Sequence, residues 1–509
     1  MSKLLTILFC IIPFFTWAQK PADAANPNWQ QEVPRVIYPD KALVDLYEKT
    51  WEIAADRVRI GPKGLPASPY LDENCYEDQI WIWDACFMVM FSRYAPAAYP
   101  GKQTLYNLYL PLHEKVHTPL RIHLRDNPPL FAWIEYDNYV FTADKKHIDY
   151  VFNEKQFLQR HFDYFNNIEY GSREPALSPN PFFLRVIKNE SGGIDGYAWR
   201  GGASGMDNTP RGRGAGGYQN ILWVDAICQQ ALSALYISRL YGLKSMKKEE
   251  QEWKERYLLL KKQINENYWD EQDGFYYDID IKTGEPCRIK TPASFWAMLA
   301  EIPTKEQAAR MVEYLRSEEY MGGDYPWSSL SRDDKDYNNE TGDYWKGGVW
   351  LPMVYMGTKA LEKYGYHALA DELAEKVVRQ QLRTYHAVEP HTIWECYSPS
   401  NDNPSTEVGR RARPDFCGWS ALGPISLFIE NIMGFRNIDG LNKSVTWNLK
   451  KTNGTHGIEN LKFGTVVTDI IYHSETNTIS VNSNEKFTLT INSKKYSVKK
   501  GKNTFAMPK

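Results

Sequence analysis

The chain has 509 residues, with 60 Lys and Arg against 63 Asp and Glu, so its formal net charge is only −3. This balance excludes the strongly basic surface that nucleic-acid-binding proteins need, and we expect no nucleic acid partner. The length allows a sizeable buried core. Aromatic residues make up 14% of the chain, which is typical of a large aromatic core or of a site that stacks flat ligands such as sugar rings.

Residues 1–18 have the pattern of a secretory signal peptide. Lys3 supplies the positive start, the run from Leu4 to Trp17 is largely apolar, and Ala18 offers a small residue at the cleavage point. We therefore expect an exported protein, periplasmic or extracellular. No other segment is long and apolar enough to predict a membrane span.

Six further cysteines are widely spaced and match neither a zinc motif nor a small disulfide scaffold. Several lie in apolar helical patterns, so we expect buried free thiols. We expect no metal and no other cofactor, and the sequence leaves the oligomeric state open. The six are Cys75, Cys86, Cys228, Cys287, Cys396 and Cys417.

Helical periodicity dominates residues 19–436, which we predict to form one domain. The helices come mostly in neighbouring pairs, with short loops on one side and long loops rich in Trp, Tyr, Asp, Arg and Gly on the other. This pattern predicts an (α/α)6 toroid whose long loops gather at one mouth; an irregular all-α domain is the alternative. The patterns cover Asp40–Arg59, a run from Trp81, Lys102–Lys115, Leu130–Phe141, Lys145–Asn167, Gln219–Gly242, Lys248–Tyr268, Ala293–Glu301, Thr304–Ser317, Tyr344–Tyr364, Ala368–Thr384 and Ser420–Met433.

After Gly434 the helical pattern stops and short β-type runs replace it. These runs are separated by turn-forming dipeptides such as Asn-Gly and Lys-Gly. We predict a small antiparallel β-domain over residues 437–509 that packs against the helical domain, with accessory sugar binding as a weaker alternative. The runs are Val445–Trp447, Thr465–Tyr472, Thr478–Val481, Phe487–Ile491 and Tyr496–Val498.

The stretch from Gly201 to Gly214 combines five glycines with a carboxylate, Asp207, and two arginines, Arg211 and Arg213. Glycines permit tight turns and close backbone approach to a ligand, and active-site groups often lie on such loops beside a rigid helix. An Asx-turn in which Asp207 caps its own loop is the alternative.

A second isolated acid, Glu395, lies between apolar and aromatic neighbours in the segment from His391 to Ser400. Such surroundings raise a carboxyl pKa unless hydrogen-bond donors compensate; a solvent-facing glutamate is the alternative. Glycoside hydrolysis uses two carboxyl groups from distant parts of a chain, one to protonate the leaving oxygen and one to activate water. Asp207 and Glu395 are therefore our candidates.

Other acids are less clearly placed. Asp84 stands beside two tryptophans at a predicted helix start, where it could cap the helix or bind a hydroxyl. Asp324, Glu340 and Asp343 are close together in an aromatic loop. Their spacing matches no defined calcium loop, so no calcium site is predicted.

Six segments, taken in order, resemble the clan of inverting α-glycosidases that holds glycoside hydrolase families 63 and 37. These families include processing α-glucosidases, mannosylglycerate-hydrolase-like enzymes and trehalases. The resemblance spans roughly residues 40–434, and it depends on the order and spacing of the segments together. The segments are Trp83-Asp84-Ala85-Cys86-Phe87-Met88, Arg125-Asp126-Asn127-Pro128-Pro129, Ser204-Gly205-Met206-Asp207-Asn208-Thr209-Pro210-Arg211, Tyr344-Trp345-Lys346-Gly347-Gly348-Val349-Trp350, Ile393-Trp394-Glu395-Cys396-Tyr397 and Gly418-Trp419-Ser420.

The resemblance implies an (α/α)6 barrel and an exo-acting enzyme that inverts the anomeric centre. It implies that Asp207 is the general acid and Glu395 the general base. The residues expected from these segments to bind substrate are Trp83, Asp84, Arg125, Asn127, Arg211, Trp345, Lys346 and Trp419.

This chain departs from the family pattern in one segment. Where the family has Tyr-Trp-Arg-Gly-Pro, this chain has Lys346 in place of arginine and Gly348 in place of proline. Lysine lacks the planar two-pronged contact of arginine, which argues against standard trehalase and α-glucosidase substrates.

Two other functions stay open at this point. A polysaccharide lyase on a similar toroid would need a cationic mouth, which Arg211, Arg213, Arg410, Arg411 and Arg413 would supply. A non-catalytic carbohydrate-binding protein is the third interpretation, although the presence of both carboxylates argues against it. The leading prediction is an exported hydrolase of an α-linked sugar.

Overall fold

The computed structural model describes residues 28–73, 76, 78–123, 125–178, 180–450 and 454–507. The predicted signal peptide and Cys75 lie outside these residues. Within them the body of the chain is rich in helices, as predicted. The helices are α1 Lys41–Ala55, α2 Ile82–Ser92, α3 Gly101–Glu114, α4 Phe131–Thr142, α5 Lys145–Ile148 continued by a π-helix Asp149–Glu154, α6 Phe157–Asn166, α7 Gly201–Ser204, α8 Val224–Leu243, α9 Lys247–Asn267, α10 Trp296–Leu299, α11 Lys305–Arg316, α12 Leu351–Lys363, α13 His367–Ala387, α14 Cys417–Ser420 and the π-helix α15 Leu422–Ile432.

Six helices contact one another in a closed order: α2 contacts α4, which contacts α8, and the series continues through α10, α12 and α15 back to α2. Other helices lie against members of this series. Helix α3 packs on α2, α9 on α8, and α13 on both α12 and α15.

The sequences of α8 and α9 explain why α8 lies inside the helical body and α9 lies on its surface. Almost every residue of α8 is buried, whereas α9 buries only Trp253, Tyr257 and Ile264 and exposes its charged face.

Aromatic side chains fill the space enclosed by the six helices. The ring centroid of Trp83 lies 5.0 Å from that of Phe87 and 6.2 Å from that of Trp296. Both of these rings contact Trp133 edge-on, and Trp133 lies beside Tyr355. Edge-to-face packing of this kind is favourable. The interior is therefore a packed core, which closes any cavity that opens at one end.

Strands follow the helical body, starting at Phe435 rather than at the predicted residue 437. They form a five-stranded sheet in the order β1-β17-β18-β19-β22 and a four-stranded sheet in the order β15-β16-β20-β21. The strands of the two sheets are β1 Arg35–Ile37, β15 Phe435–Asp439, β16 Ser444–Trp447, β17 His456–Phe463, β18 Val466–His473, β19 Thr478–Ser483, β20 Phe487–Ile491, β21 Lys494–Val498 and β22 Gly501–Ala506.

Two features of these sheets differ from the prediction. Strand β1, from the part of the chain that we assigned to the helical domain, pairs with β17, so Val36 lies opposite Ile458. Strands β16 and β20 pair in parallel, with Val445 opposite Leu489, so the sheets are not purely antiparallel. A parallel pair needs a long crossover connection, and strands β17 to β19 supply it.

Short two- and three-stranded sheets connect the helices. Strand β4 leads into α2, and β8 leads into α8. Their strands are β2 Val58–Arg59, β3 Tyr70–Leu71, β4 Gln79–Ile80, β5 Arg121–Ile122, β6 Arg185–Lys188, β7 Ile194–Ala198, β8 Ile221–Leu222, β9 Trp269–Asp270, β10 Phe275–Tyr276, β11 Asp278–Asp280, β12 Pro286–Cys287, β13 Thr406–Glu407 and β14 Arg410–Arg411.

Five of the six predicted cysteines lie in the described residues, and all five are free thiols. Four are buried and Cys287 is partly exposed, so the prediction of buried free thiols is confirmed for four of them. Within the described residues no helix has the length and apolarity that a bilayer crossing demands.

A buried ion cluster joins the ends of α2, α12 and α15 at the end of the helical body opposite the long loops. Glu430 accepts hydrogen bonds from Arg93 Nη2 at 2.8 Å and from the Tyr94 hydroxyl at 2.7 Å. The Lys359 ammonium lies 2.7 Å from the other carboxylate oxygen. Burial acts to raise the pKa of Glu430, but Lys359 and Arg93 outweigh it and the pKa lies below its ordinary value.

Replacing Glu430 with alanine is expected to lower the free energy of unfolding by about 3–5 kcal/mol, because the variant leaves Arg93 and Lys359 buried without their shared counterion. Urea denaturation followed by circular dichroism measures this loss. The matched control is Glu485→Ala, which breaks a half-exposed pair with Lys443 and should cost less than about 1 kcal/mol. Equal losses in the two variants would contradict the role given to the cluster.

Candidate active site

A cavity of about 560 Å³ opens beside the N-terminal ends of α2, α4, α8 and α12. Its walls come from loops that are far apart in sequence and meet because the helices that follow them are neighbours. The cavity brings together both predicted catalytic acids and five of the predicted substrate-binding residues. These seven are Asp207, Glu395, Trp83, Asp84, Asn127, Trp345 and Trp419.

The glycine-rich stretch forms the wall that carries Asp207. Helix α7 occupies residues 201–204, and Gly205 follows it at φ +78°. A Cβ on Gly201 would lie 2.3 Å from the carbonyl oxygen of Asp207, and a Cβ on Gly205 would lie 3.1 Å from the Trp83 ring. Glycine is therefore required at both positions, because the loop folds back on itself and packs against the indole.

The side chain of Asp207 is exposed at the cavity. Protein atoms surround its carboxyl group on the other sides. That burial raises the pKa of Asp207 to about 6, and the charges of Glu395 and Glu407 act in the same direction. Arg200 and Arg413 oppose the shift. A carboxyl group with such a pKa holds its proton in mildly acidic solution, as a general acid must, and loses it as pH rises through about 6.

Glu395 differs from Asp207 in its exposure and in its hydrogen-bond partners. Its side chain is 2% exposed. The Tyr344 hydroxyl donates to Oε1 at 2.7 Å, Arg413 Nη1 donates to the same oxygen at 2.9 Å, and the Arg413 backbone N–H donates to Oε2 at 3.2 Å. Burial raises the pKa of Glu395, while Arg413, Tyr344 and the backbone donor act to lower it. These donors stabilise the ionised form.

The hydroxyl that supports Glu395 comes from a backbone segment in an uncommon conformation. Asp343 and Tyr344 have φ values of 31° and 67°, a region that costs energy for residues with side chains. The Trp350 indole N–H donates to the Tyr344 carbonyl at 3.1 Å, and the rings of Trp345 and Trp350 stack at 4.0 Å. These contacts hold the turn and so direct Tyr344 towards Glu395.

Two asparagines connect the walls of the cavity. Asn208, next to the candidate acid, donates to the Asp343 carbonyl at 2.9 Å and accepts from the Trp345 backbone N–H at 2.7 Å. Asn127 donates to the carbonyls of Gly202 and Ala203. The loop that carries Asp207 is therefore fixed on both sides by side-chain hydrogen bonds.

Asp84 lies in the first turn of α2 and is 5% exposed. Burial raises its pKa well above the ordinary value, and the charges of Glu395 and Asp207 raise it further. Several acids within one cavity disfavour one another's ionised forms. This mutual effect supports the expectation that Asp84, Asp207 and Glu395 act within one site.

Three predicted substrate-binding residues lie outside the cavity wall: Arg125, Arg211 and Lys346. Arg211 is 1% exposed, and its guanidinium is held by Asp225 at 2.7 Å and by Asp278 at 2.5 Å. Its donors therefore serve two buried carboxylates, and we correct its role to a structural one. Arg213 likewise pairs with Asp334.

Arg125 and Lys346 are also displaced from the cavity. The Arg125 guanidinium lies 3.8 Å from the centroid of the Phe182 ring and donates to the Asn180 carbonyl. The Lys346 ammonium pairs with Asp343 at 2.9 Å. Arg125 therefore supports the loop next to Asn127, and Lys346 supports the turn that carries Tyr344.

Several residues of the cavity wall were not predicted as site residues. They are Tyr76, Trp81, His123, Arg200, Tyr218, Tyr344, Trp350, Glu407 and Arg413. Tyr344 and Trp350 lie in one of the segments that carry the family resemblance, and Arg413 was named only for the lyase alternative. The others lie outside those segments, on loops whose positions depend on the fold. In the described part of the chain, no group of three or more His, Cys, Asp and Glu side chains has an arrangement suited to a metal ion.

Comparison with known proteins places this site in a family. Residues 188–416, which include Asp207 and Glu395, match the mannosylglycerate hydrolase MGH1-like glycoside hydrolase domain. An uncharacterised protein of Borreliella burgdorferi is 28% identical over 86% of this chain and 89% of its own length. Mannosyl-oligosaccharide glucosidase of Saccharomyces cerevisiae is 26% identical over 54% of this chain, which spans 34% of that relative.

The fold is similar to that of a solved relative. The family 63 mannosylglycerate hydrolase of Thermus thermophilus superposes with a TM-score of 0.52 at 18% identity, covering 75% of this chain and 99% of that one. The resemblance noted in the sequence is thus confirmed. Residues 188–416 therefore form a mannosylglycerate hydrolase MGH1-like glycoside hydrolase domain, and this domain together with the similar glucosidase supports a glycoside hydrolase.

Proposed function

We propose that this protein removes an α-linked terminal sugar by an inverting mechanism, with Asp207 as general acid and Glu395 as general base. The observation that carries this proposal is the contrast between the two acids in one cavity. Asp207 is open to the cavity, and its pKa is raised to about 6. Glu395 is buried and receives three hydrogen bonds that favour its ionised form. One protonates the leaving oxygen while the other takes a proton from water.

The shape of the cavity supports removal of a terminal sugar. Its inner part is lined by side chains that are nearly fully buried, including Trp83, Asp84, Trp345 and Trp419. The aromatic core below them closes the ring of helices. A sugar chain cannot pass through such a closed end, so only its last residue reaches the two acids.

Charge argues against a lyase that acts on acidic polysaccharides. Four carboxylates line the cavity against two arginines, Arg200 and Arg413. Two other cations that a lyase would use, Arg211 and Arg213, pair with aspartates. Arg410 and Arg411 are not among the residues that line the cavity. The cavity therefore lacks the excess of positive charge that would attract an anionic polymer.

We also infer the (α/α)6 toroid and export. The closed order of contacts among α2, α4, α8, α10, α12 and α15, with further helices packed outside them, supports the toroid. The apolar pattern of residues 1–18 supports export. Sugar identity is open, and activity on a panel of α-linked glucosides, mannosides, galactosides and rhamnosides tests the proposal directly.

Asp207→Asn and Glu395→Gln should each lower kcat by about 10²–10⁴-fold, the usual contribution of a general acid or base. Thermal unfolding should stay close to that of the wild type. The controls are Asp324→Asn and Glu340→Gln, which make the same chemical changes at exposed acids on a neighbouring loop and should keep full activity. A loss below about tenfold, or ~1.4 kcal/mol of barrier, would remove the assigned role.

Proton NMR of the first sugar released from an α-linked substrate should show the β-anomer before mutarotation. An inverting enzyme admits water between its base and the sugar, on the face opposite the leaving group. Release of the α-anomer first would exclude Glu395 as a base that activates water.

Activity should be lost as pH rises through about 6, because Asp207 must carry a proton. It should also be lost as pH falls through the raised pKa of Glu395, which must be ionised. Tyr344→Phe removes a donor to that carboxylate, so the acidic limb of kcat/KM should move to higher pH by about 0.5–1 unit.

The control for this variant is Tyr314→Phe, whose hydroxyl donates to the Asp273 carbonyl outside the cavity. It should leave both limbs of the profile in place. If Tyr344→Phe lowers activity equally at every pH, the hydroxyl has another role than tuning Glu395.

A further inference from the structure

The cavity has a second, more open part beyond the two acids. Here the wall side chains are only partly buried, and Tyr76 is 52% exposed. Trp81 directly follows strand β4, His123 directly follows strand β5, and Arg200 directly precedes α7. This part offers room for the group that leaves the closed end of the cavity.

Trp81 is held in a fixed orientation. Its indole N–H donates to Nδ1 of His123 at 2.8 Å, and the two ring centroids lie 5.2 Å apart. The Tyr76 ring lies 6.0 Å from the Trp81 ring at an interplanar angle of 35°. An aromatic side chain that is already fixed loses little conformational entropy when a ligand packs on it.

His123 then presents a donor. Because Nδ1 accepts the indole proton, the neutral imidazole carries its own proton on Nε2. Burial lowers the pKa of His123, and the charges of Arg200 and Arg121 lower it further. The ring is therefore neutral at pH 7, and it offers an N–H rather than a charge.

Arg200 supplies further donors on the side of the general acid. Its guanidinium lies 4.0 Å from the centroid of the Phe183 ring, and its buried Nε has no hydrogen-bond acceptor in the described chain. Arg200 caps the start of α7, which leads directly to Asp207, and its charge acts on the Asp207 carboxyl. The general acid protonates the leaving oxygen, so Arg200 lies on the leaving-group side.

We propose that Trp81, His123 and Arg200 form a leaving-group subsite that binds a second, neutral sugar ring. This inference rests on the proposed function. A pyranose has apolar C–H faces that pack on an indole, and its hydroxyls accept hydrogen bonds from His123 and Arg200. A small acid would use Arg200 but would leave the Trp81 face uncovered, and it would meet the charge of Glu407, which lines the same cavity.

The test compares substrates with and without a leaving-group sugar. Wild type and Trp81→Ala are assayed on the α-glycosyl fluoride with the fastest turnover among glucosyl, mannosyl, galactosyl and rhamnosyl fluorides, and on disaccharides that carry the same sugar α-linked to glucose. Fluoride is too small to reach the subsite. We expect Trp81→Ala to lower kcat/KM for the best disaccharide by about tenfold or more, as for loss of a buried aromatic contact, and to leave the fluoride rate within about twofold.

Two further variants make the result decisive. Trp81→Phe keeps an aromatic face and should lose less activity on the disaccharide than Trp81→Ala. If the alanine variant folds poorly, Trp81→Phe replaces it in the comparison of disaccharide with fluoride. Trp269→Ala removes a partly exposed indole outside the cavity and should leave both substrates unaffected.

Equal loss on fluoride and disaccharide would overturn the subsite, as would a wild-type enzyme that prefers a sugar α-linked to glycerate and is indifferent to Trp81→Ala on the disaccharide. If the wild type hydrolyses no fluoride of the panel and no disaccharide, the proposed function itself fails, and the subsite fails with it. Activity on the fluoride with no discrimination by Trp81 leaves the proposed function standing and excludes the subsite alone.

Discussion

Four carboxylates share one cavity, and their mutual repulsion is the constraint around which the site is built. Asp84, Asp207 and Glu395 disfavour one another's ionised forms in so confined a space. Glu395 receives hydrogen bonds from a phenol, a guanidinium and a backbone N–H, which favour its ionised form. Burial and the charges of Glu395 and Glu407 raise the pKa of Asp207 to about 6. The two acids therefore lie in different electrostatic surroundings within one cavity.

This difference depends on how neighbouring residues are held in place. Tyr344 reaches Glu395 only because its backbone is kept in a left-handed conformation, and the Trp345–Trp350 stack holds that turn. Asn208 joins the same turn to the loop of Asp207. A continuous series of contacts therefore links the residues that hold Glu395 to the residues that hold the loop of Asp207.

The sequence allowed the helix-rich body, the strands that follow it and seven cavity residues to be predicted, because periodicity and local motifs are properties of short segments. It did not allow the wall formed by Trp81, His123 and Arg200 to be predicted, since these residues meet only through the β4–β5 pair and the start of α7. Arg211 was misassigned because a motif gives residue identity and not direction: its side chain turns to Asp225 and Asp278. Strand β17 escaped notice because its sequence, His456 to Phe463, is largely polar.

The pairing of β1 with β17 has a consequence for biosynthesis. Domains generally begin to fold from the N-terminal side while the chain is still being made, but residues 35–37 find their partner only when residues 457–459 have emerged several hundred residues later. The segment before α1 therefore lacks its strand partner until the C-terminal part of the chain is available, and its final place is the edge of a sheet. A cut between the helical body and the strands would divide a sheet rather than a linker, so the two parts are one unit of assembly.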